Sequence, residues 1–364
     1  MKKKSYILNF LMILGLTAFA LWFALKDNFK EVIGLLKGIP WYFFAIILIY
    51  GLAYNLIIGW IYKLIGRKNK PNYTYKESLA VAFVGAFFAG ITPSATGGQF
   101  GQAYLLKNQG IKLSSAASIL WIDFIIYQSV MVIYTTFIMI FKYAYYQTHY
   151  SSFFVLVLIG WVVNSSVIVL LATMAKFPKA YQRLSQGIIK LLHKVHIVKN
   201  PEATILSWNN SLESFNSEIH ILRDEKKMVL QVGLLNVVRL TVLYSLPLFI
   251  AYTMGITHVA GGARLSIDLL PDVITMSAFV MIANAFFPVP GASGGTEAAF
   301  ILIFSFLFTS AQARGIMILW RFATYHAVIL IGGLTFMYCK SKYDRAKSAH
   351  QIKEEDYYED RYIH

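Results

Sequence analysis

Charge is scarce in this sequence. Only 14% of its 364 residues are Asp, Glu, Lys or Arg, while 57% are hydrophobic. A soluble domain carries about 25% charged residues. The chain therefore reads as an integral membrane protein, with too little polar sequence left for a separate soluble domain of ordinary size. Acids are the scarcer sign: 18 Asp and Glu face 33 Lys and Arg, for a net charge of +15. The cations cluster in loops between apolar segments, which suits contact with an anionic leaflet. They form no compact basic domain, so nucleic acid is not an expected partner. A single cysteine, Cys339, excludes an intrachain disulfide. Also missing are metal-ligand spacings, a Walker-type phosphate loop and a nucleophile paired with a base. Gly291-Ala-Ser293-Gly-Gly295 has the outline of a nucleophile elbow, but no strand precedes it. Neither a metal nor a cofactor is expected, and ATP-driven or hydrolytic chemistry within the chain is not.

Two related stretches stand out. The first runs Ala86-Phe-Phe-Ala-Gly-Ile-Thr-Pro-Ser-Ala-Thr-Gly-Gly-Gln-Phe-Gly-Gln-Ala-Tyr104, and the second Ala285-Phe-Phe-Pro-Val-Pro-Gly-Ala-Ser-Gly-Gly-Thr-Glu-Ala-Ala299. Each has Ala-Phe-Phe, a proline-bearing break and a Gly-Gly pair, and each is followed by Ile-Leu-Trp, at 119–121 and 318–320. An apolar helix that stops at Pro and Gly frees backbone groups that hydrocarbon cannot satisfy. At membrane depth such breaks survive only inside protein or beside a polar cavity. A matched pair of them points to a transporter-type binding site.

Apolar runs long enough to cross a bilayer, about 20 residues, occupy 6–25, 41–62, 114–141, 153–175, 229–254 and 316–338. The first follows Lys2, Lys3 and Lys4. A signal peptide cleaved after Ala18-Phe-Ala20 competes with an uncleaved anchor; the run continues through Leu21, Trp22 and Phe23, which favours the anchor. Segment 26–40 is short and amphipathic and is expected in the interface. Segment 176–227 carries Lys176, Lys179, Arg183, Lys190, Lys194, Lys199, Arg223, Lys226 and Lys227, the bias of a cytoplasmic loop. Its apolar residues recur at helical spacing, which predicts two amphipathic helices divided near Asn200-Pro201. They form either a membrane-hugging hairpin, the preferred reading, or a docking site for a partner. The tail, 348–364, is charged and expected to be disordered.

The apolar segments 78–92 and 272–287 are too short for a full crossing. Positive loops fix the direction of the neighbouring spans, so 78–112 begins and ends inside and 272–309 begins and ends outside. The expected fold is thus an all-α polytopic membrane protein: six full spans plus two re-entrant helical hairpins entering from opposite faces. Together they form an inverted repeat with halves at about 78–141 and 272–338, in a single domain spanning 1–347. The second hairpin can also be read as two short crossings.

Candidate site residues follow from this arrangement. Gly97-Gly98 and Gly294-Gly295 precede expected helix starts, where backbone N–H groups and the helix dipole favour a phosphate. The same glycines serve equally well for tight turns and close helix contact. Pro93, Gln99, Gln102, Pro290 and Gly291 complete the two tips. Asp123, Arg239, Glu297 and Arg321 are ionisable residues inside apolar segments, costly unless paired or facing a cavity. Asp123 and Arg321 hold nearly equivalent places after the two Ile-Leu-Trp repeats and are candidates to pair across the cavity, as a head-group or proton site or as a structural salt bridge. Arg239, Tyr325 and His326 are accessory candidates, with packing the favoured role for His326.

These residues resemble a bacterial family, the lysylphosphatidylglycerol synthase transmembrane domain family, also described as flippase-like membrane proteins. The resemblance rests on Pro93–Lys107 with Gly110-Ile111, and on Phe287–Ala299 with Leu319-Trp-Arg321; it extends over nearly the whole chain. In bifunctional members a soluble domain transfers lysine from lysyl-tRNA to phosphatidylglycerol, and the membrane unit moves the product to the outer leaflet. The resemblance implies a multi-pass protein of the bacterial cell membrane with both termini cytoplasmic, here a stand-alone form without the soluble synthase domain. It implies translocation of an anionic or aminoacylated phospholipid, linked to cationic peptide resistance. Two alternatives remain: a phosphatidylglycerol lysyltransferase acting only with a separate soluble synthase partner, and a non-transporting protein that binds anionic lipid. A homo-oligomer is left open. Family members often carry Glu and Arg where this chain has Gln99 and Gln102, and Arg where it has Phe124. Glu297 and Arg321 match the pattern, so charge recognition is expected to lean on the second repeat.

Overall fold

The computed structural model describes residues 29–149, 151–284, 287 and 289–362. Among them no strand occurs, and the one β-bridge joins His258 to Arg264. In chain order the helices are α1 (Phe29–Lys37), α2 (Trp41–Gly66), α3 (Tyr75–Ile91), α4 (Gly97–Asn108), α5 (Leu113–His149), α6 (Ser151–Lys176), α7 (Pro178–Lys194), α8 (Pro201–Asp224), α9 (Lys226–Thr253), α10 (Leu270–Asn284), α11 (Gly295–Phe304), α12 (Ser310–Arg321) and α13 (Ala327–Tyr362). Short 3₁₀ turns lie at Pro93–Ala95, Ile267–Leu269 and Pro290–Ala292, and a π-helical turn at Phe322–His326 joins α12 to α13.

Among the described residues, five helical stretches are long and apolar enough to cross a membrane: Trp41–Gly66, Leu113–Phe141, Leu158–Lys176, Lys226–Thr253 and Ser310–Arg345. The chain is a multi-pass membrane protein. The remaining expected span, 6–25, lies outside the described residues. Helices α7 and α8 form where the amphipathic pattern requires, each opening on a proline at its first position, Pro178 and Pro201, where the missing N–H costs no bond. In the tail, where composition suggests disorder, α13 continues to Tyr362. That stretch lacks Pro and Gly, which break helices, and carries Glu354, Glu355 and Glu359 among its residues, Glu being a good helix former.

The chain divides into two compact units. One comprises the segments up to Ala116 and from Val242 onward; the other is Ala117–Thr241. In the first unit, α3 and α4 fold back on each other and α13 covers α3. A Cβ at Gly85 would strike Gln102, one at Gly98 would touch Ala89, and one at Gly101 would strike Phe88; the rising and falling numbers mark antiparallel arms. Helices α10 and α11 pack against each other, and α12 packs on α11, α1 and α2. Helix α3 starts at a capping box: Glu77 N–H donates to Thr74 Oγ1 (3.3 Å), and Thr74 N–H donates to Glu77 Oε2 (2.9 Å). Its 17 residues and the 15 of α10 extend about 26 and 23 Å at the usual helical rise, short of a hydrocarbon core of about 30 Å. In the second unit, α6, α7 and α8 pack together.

Candidate functional site

The two helix breaks share one backbone shape. Thr92 and Val289 are extended, at φ −119° and −110°. Next comes proline, then two left-handed residues: Ser94 and Ala95 at φ 52° and 55°, Gly291 and Ala292 at 60° and 48°. Thr96 N–H donates to the Pro93 carbonyl and Ser293 N–H to the Pro290 carbonyl, both at 3.2 Å. Ala95 and Ala292 N–H donate back to Thr92 and Val289. Each break is thus a mirror-image type I turn, which demands positive φ at both central positions. Three of the four central residues are not glycine, and such strained positions cost of order 1–3 kcal/mol each. The two turns touch each other, and Tyr325 O–H donates to the Gly90 carbonyl at 3.2 Å, binding the second tip's surroundings to the first.

The second tip is closed by an ion pair. Glu297 and Arg321 are 4% and 6% exposed. Arg321 Nε–H donates to Glu297 Oε1 at 2.6 Å, while the other carboxylate oxygen accepts the N–H of Gly294 at 2.6 Å. Arg321 Nη2 donates to the Gly291 carbonyl (3.1 Å) and lies 3.4 Å from Ser293 Oγ. Its guanidinium stacks 4.3 Å from the centre of the Tyr325 ring. Sequence reasoning puts a ligand's phosphate at the N-terminus of α11; in the structure the chain's own carboxylate caps that end. Gly291 is set apart from the other three central residues by the absence of room: a Cβ there would strike the Tyr325 hydroxyl, and its φ of 60° adds strain to any side chain. His326 is half-buried. Its Nδ1–H donates to the Arg321 carbonyl at 3.2 Å, within the π-helical turn, where the regular bonding pattern is broken.

The first tip is open. Pro93, Ser94, Ala95, Thr96 and Gln99 are exposed, and Phe100 is 78% exposed. Thr96, the residue that would cap α4, does not reach the helix and instead donates its hydroxyl to the Pro93 carbonyl at 3.0 Å. The first turn of α4 has no acid; Gln99 holds the third helical position, where Glu297 stands in α11. Gly97 is explained by close contact, since a Cβ there would lie 2.6 Å from Thr92 Cγ2, and its N–H donates to Thr92 Oγ1 at 2.8 Å. Gln102 turns away from the tip and donates to Tyr62 Oη at 2.8 Å.

The remaining ionisable candidates lie in the second unit. Arg239 Nη1 is 3.8 Å from Asp123 Oδ1, and its guanidinium stacks 4.1 Å from the centre of the Tyr127 ring. Arg321 and Asp123, suggested by sequence as a pair, each have an opposite charge in their own unit. Sequence reasoning passed over Ser293, Thr92, Tyr62 and Tyr127. Ser293 and Thr92 lie inside the quoted motifs, so a polar-residue scan of the tips would have found them; Tyr62 and Tyr127 gave no signal above the many other tyrosines.

No curated protein and no solved structure is significantly similar to the chain. Residues 7–332 match the family described as "Lysylphosphatidylglycerol synthase TM region". With that match covering most of its length and including both tips and the Glu297–Arg321 pair, the chain belongs to the lysylphosphatidylglycerol synthase transmembrane-region family.

Proposed function

We propose that this membrane protein binds an anionic or aminoacylated phospholipid and carries it between leaflets, with the lipid phosphate at the first tip. The observation that carries this reading is the unequal filling of two equal turns. Helix α11 presents its N-terminus to Glu297, whereas α4 has neutral Gln99 at the same position and an open approach. A helix N-terminus favours an anion; Thr92 Oγ1 already accepts the Gly97 N–H, so a lipid phosphate would meet the next N–H groups of α4 and the helix dipole, as the Glu297 carboxylate meets the dipole of α11. Arg321 and Glu297 hold the second tip rigid beside it, and exposed Phe100 is suited to acyl or glycerol contact. In this reading the α3–α4 and α10–α11 hairpins are re-entrant from opposite faces, an inverted repeat within six spans and with both termini cytoplasmic. The short arms, the shared turn and the contact between the tips support it. Cationic peptide resistance would follow from moving a lysylated lipid outward.

The family's description favours a second reading, in which the chain is the membrane partner of a separate soluble lysylphosphatidylglycerol synthase. A leaflet assay in liposomes distinguishes the two. The protein alone should speed the translocation of labelled phosphatidylglycerol or its lysyl ester at least several-fold over empty liposomes, and Glu297→Gln should slow it. If neither lipid moves faster than in empty liposomes, translocation by the chain is wrong.

A further inference from the structure

Helix α7 divides its surface sharply. Successive helical residues advance about 100°, so Leu184, Ile188 and Leu191 fall within about 60° of one another. They are 59%, 49% and 62% exposed. Lys179, Arg183, Lys190 and Lys194 fill a second exposed band of about the same width, about 60° to one side. The opposite face holds Ile189, buried where α7 packs on α8. Ile188 also borders a cavity of about 590 Å³ at the α7–α8 seam, so the apolar surface continues past the stripe. No acid occurs between Lys176 and Pro201. Helix α8 differs, carrying Glu202, Glu213, Glu218 and Asp224, which an anionic surface would repel.

We infer that α7 is a membrane-surface helix that seats its Leu184–Ile188–Leu191 stripe in the acyl boundary and its lysine–arginine band in the head groups of an anionic leaflet. An exposed apolar stripe flanked by cations on one side only fits a two-phase surface, apolar below and negative above. Chain continuity supports the same occupant. The span Leu158–Lys176 ends two residues before α7 begins at Pro178, so α7 starts at the level where that span leaves the hydrocarbon. The inference does not depend on what the two tips carry.

The test uses the full chain with Cys339→Ser and Leu191→Cys, labelled with an environment-sensitive fluorophore and reconstituted in phosphatidylcholine vesicles with or without phosphatidylglycerol. With phosphatidylglycerol present, the emission should shift to the blue and quenching by a head-group-borne quencher should rise several-fold. Added salt should reverse both. The combined Arg183→Gln, Lys190→Gln and Lys194→Gln variant should lose the dependence on phosphatidylglycerol, and Lys190→Arg with Lys194→Arg should keep it. Equal access to aqueous iodide in both lipids overturns the inference, as does lipid quenching indifferent to phosphatidylglycerol. Energy transfer between labelled copies, with no lipid quenching, assigns the stripe to a second copy and overturns it too.

Discussion

At the third helical position after each break, the first tip has Gln99 and the second has Glu297, and the contrast between the tips turns on that exchange of amide for carboxylate. The turns before them match in dihedral angles and hydrogen bonds. Glu297 draws in Arg321, and Arg321 in turn ties down the Gly291 carbonyl and stacks on Tyr325. Gln99 stays at the surface. One tip thus spends its helix N-terminus on an internal anion; the other sets only the neutral Thr92 hydroxyl on its Gly97 N–H and has no acid in the first turn of α4. A repeated backbone need not imply a repeated role. Here one copy is locked by a buried ion pair, and the other lies exposed.

The largest effect should come from breaking the closed tip. Arg321→Ala leaves Glu297 buried without its cation, a loss of about 3–5 kcal/mol for a buried pair deprived of one partner. The readout is the unfolding midpoint of the detergent-solubilised protein. Gln102→Ala is the comparison on α4, the helix of the open tip: it gives up one hydrogen bond to Tyr62, worth about 0.5–1.5 kcal/mol. Equal shifts for the two variants would mean that the ion pair does not lock the second tip.

Next in size is a contrast between matched turn positions. Gly291→Ala meets both a positive φ and the Tyr325 hydroxyl, and should cost about 2–4 kcal/mol. Ser94→Ala, at the equivalent place in the first turn, removes only an exposed hydroxyl and should stay within about 0.5 kcal/mol. The same unfolding midpoints check both. Similar losses at the two sites would show that the tips are equally packed.

The elements of this fold were legible because membrane helices announce themselves by length and hydrophobicity. The division of 176–227 near Asn200-Pro201 was legible from periodicity and proline, and the two breaks from Pro and Gly-Gly. Glu297 and Arg321 stood out because charge is rare in apolar sequence. Their pairing did not: they lie 24 residues apart on α11 and α12, and charge symmetry between the repeats pointed instead to Asp123. Nor could sequence foresee that Glu297 caps its own helix. That depends on Gly294 at φ 87°, a backbone state that glycine permits but does not dictate. Gln102 misled for a related reason. Its place in the motif suggested the tip, while the missing side chain of Gly85 opened space in the hairpin for it.

The finest test converts the open tip into a copy of the closed one. Gln99→Glu places a carboxylate in the first turn of α4, where the helix dipole should add about 0.3–1 kcal/mol of stability. If a lipid phosphate uses that helix end during translocation, the new carboxylate competes for the same N–H groups and repels the phosphate. Two unit charges about 4 Å apart near a protein surface interact by up to about 4 kcal/mol, and by about 1 kcal/mol in water, so even the screened limit should slow an anionic lipid roughly fivefold. Gln99→Ala, which removes the amide without adding charge, should translocate close to the wild-type rate. A leaflet assay with phosphatidylglycerol reads both variants. Unimpaired translocation by Gln99→Glu would move the phosphate away from the first tip, and the difference between Gln99 and Glu297 would then be one of stability alone.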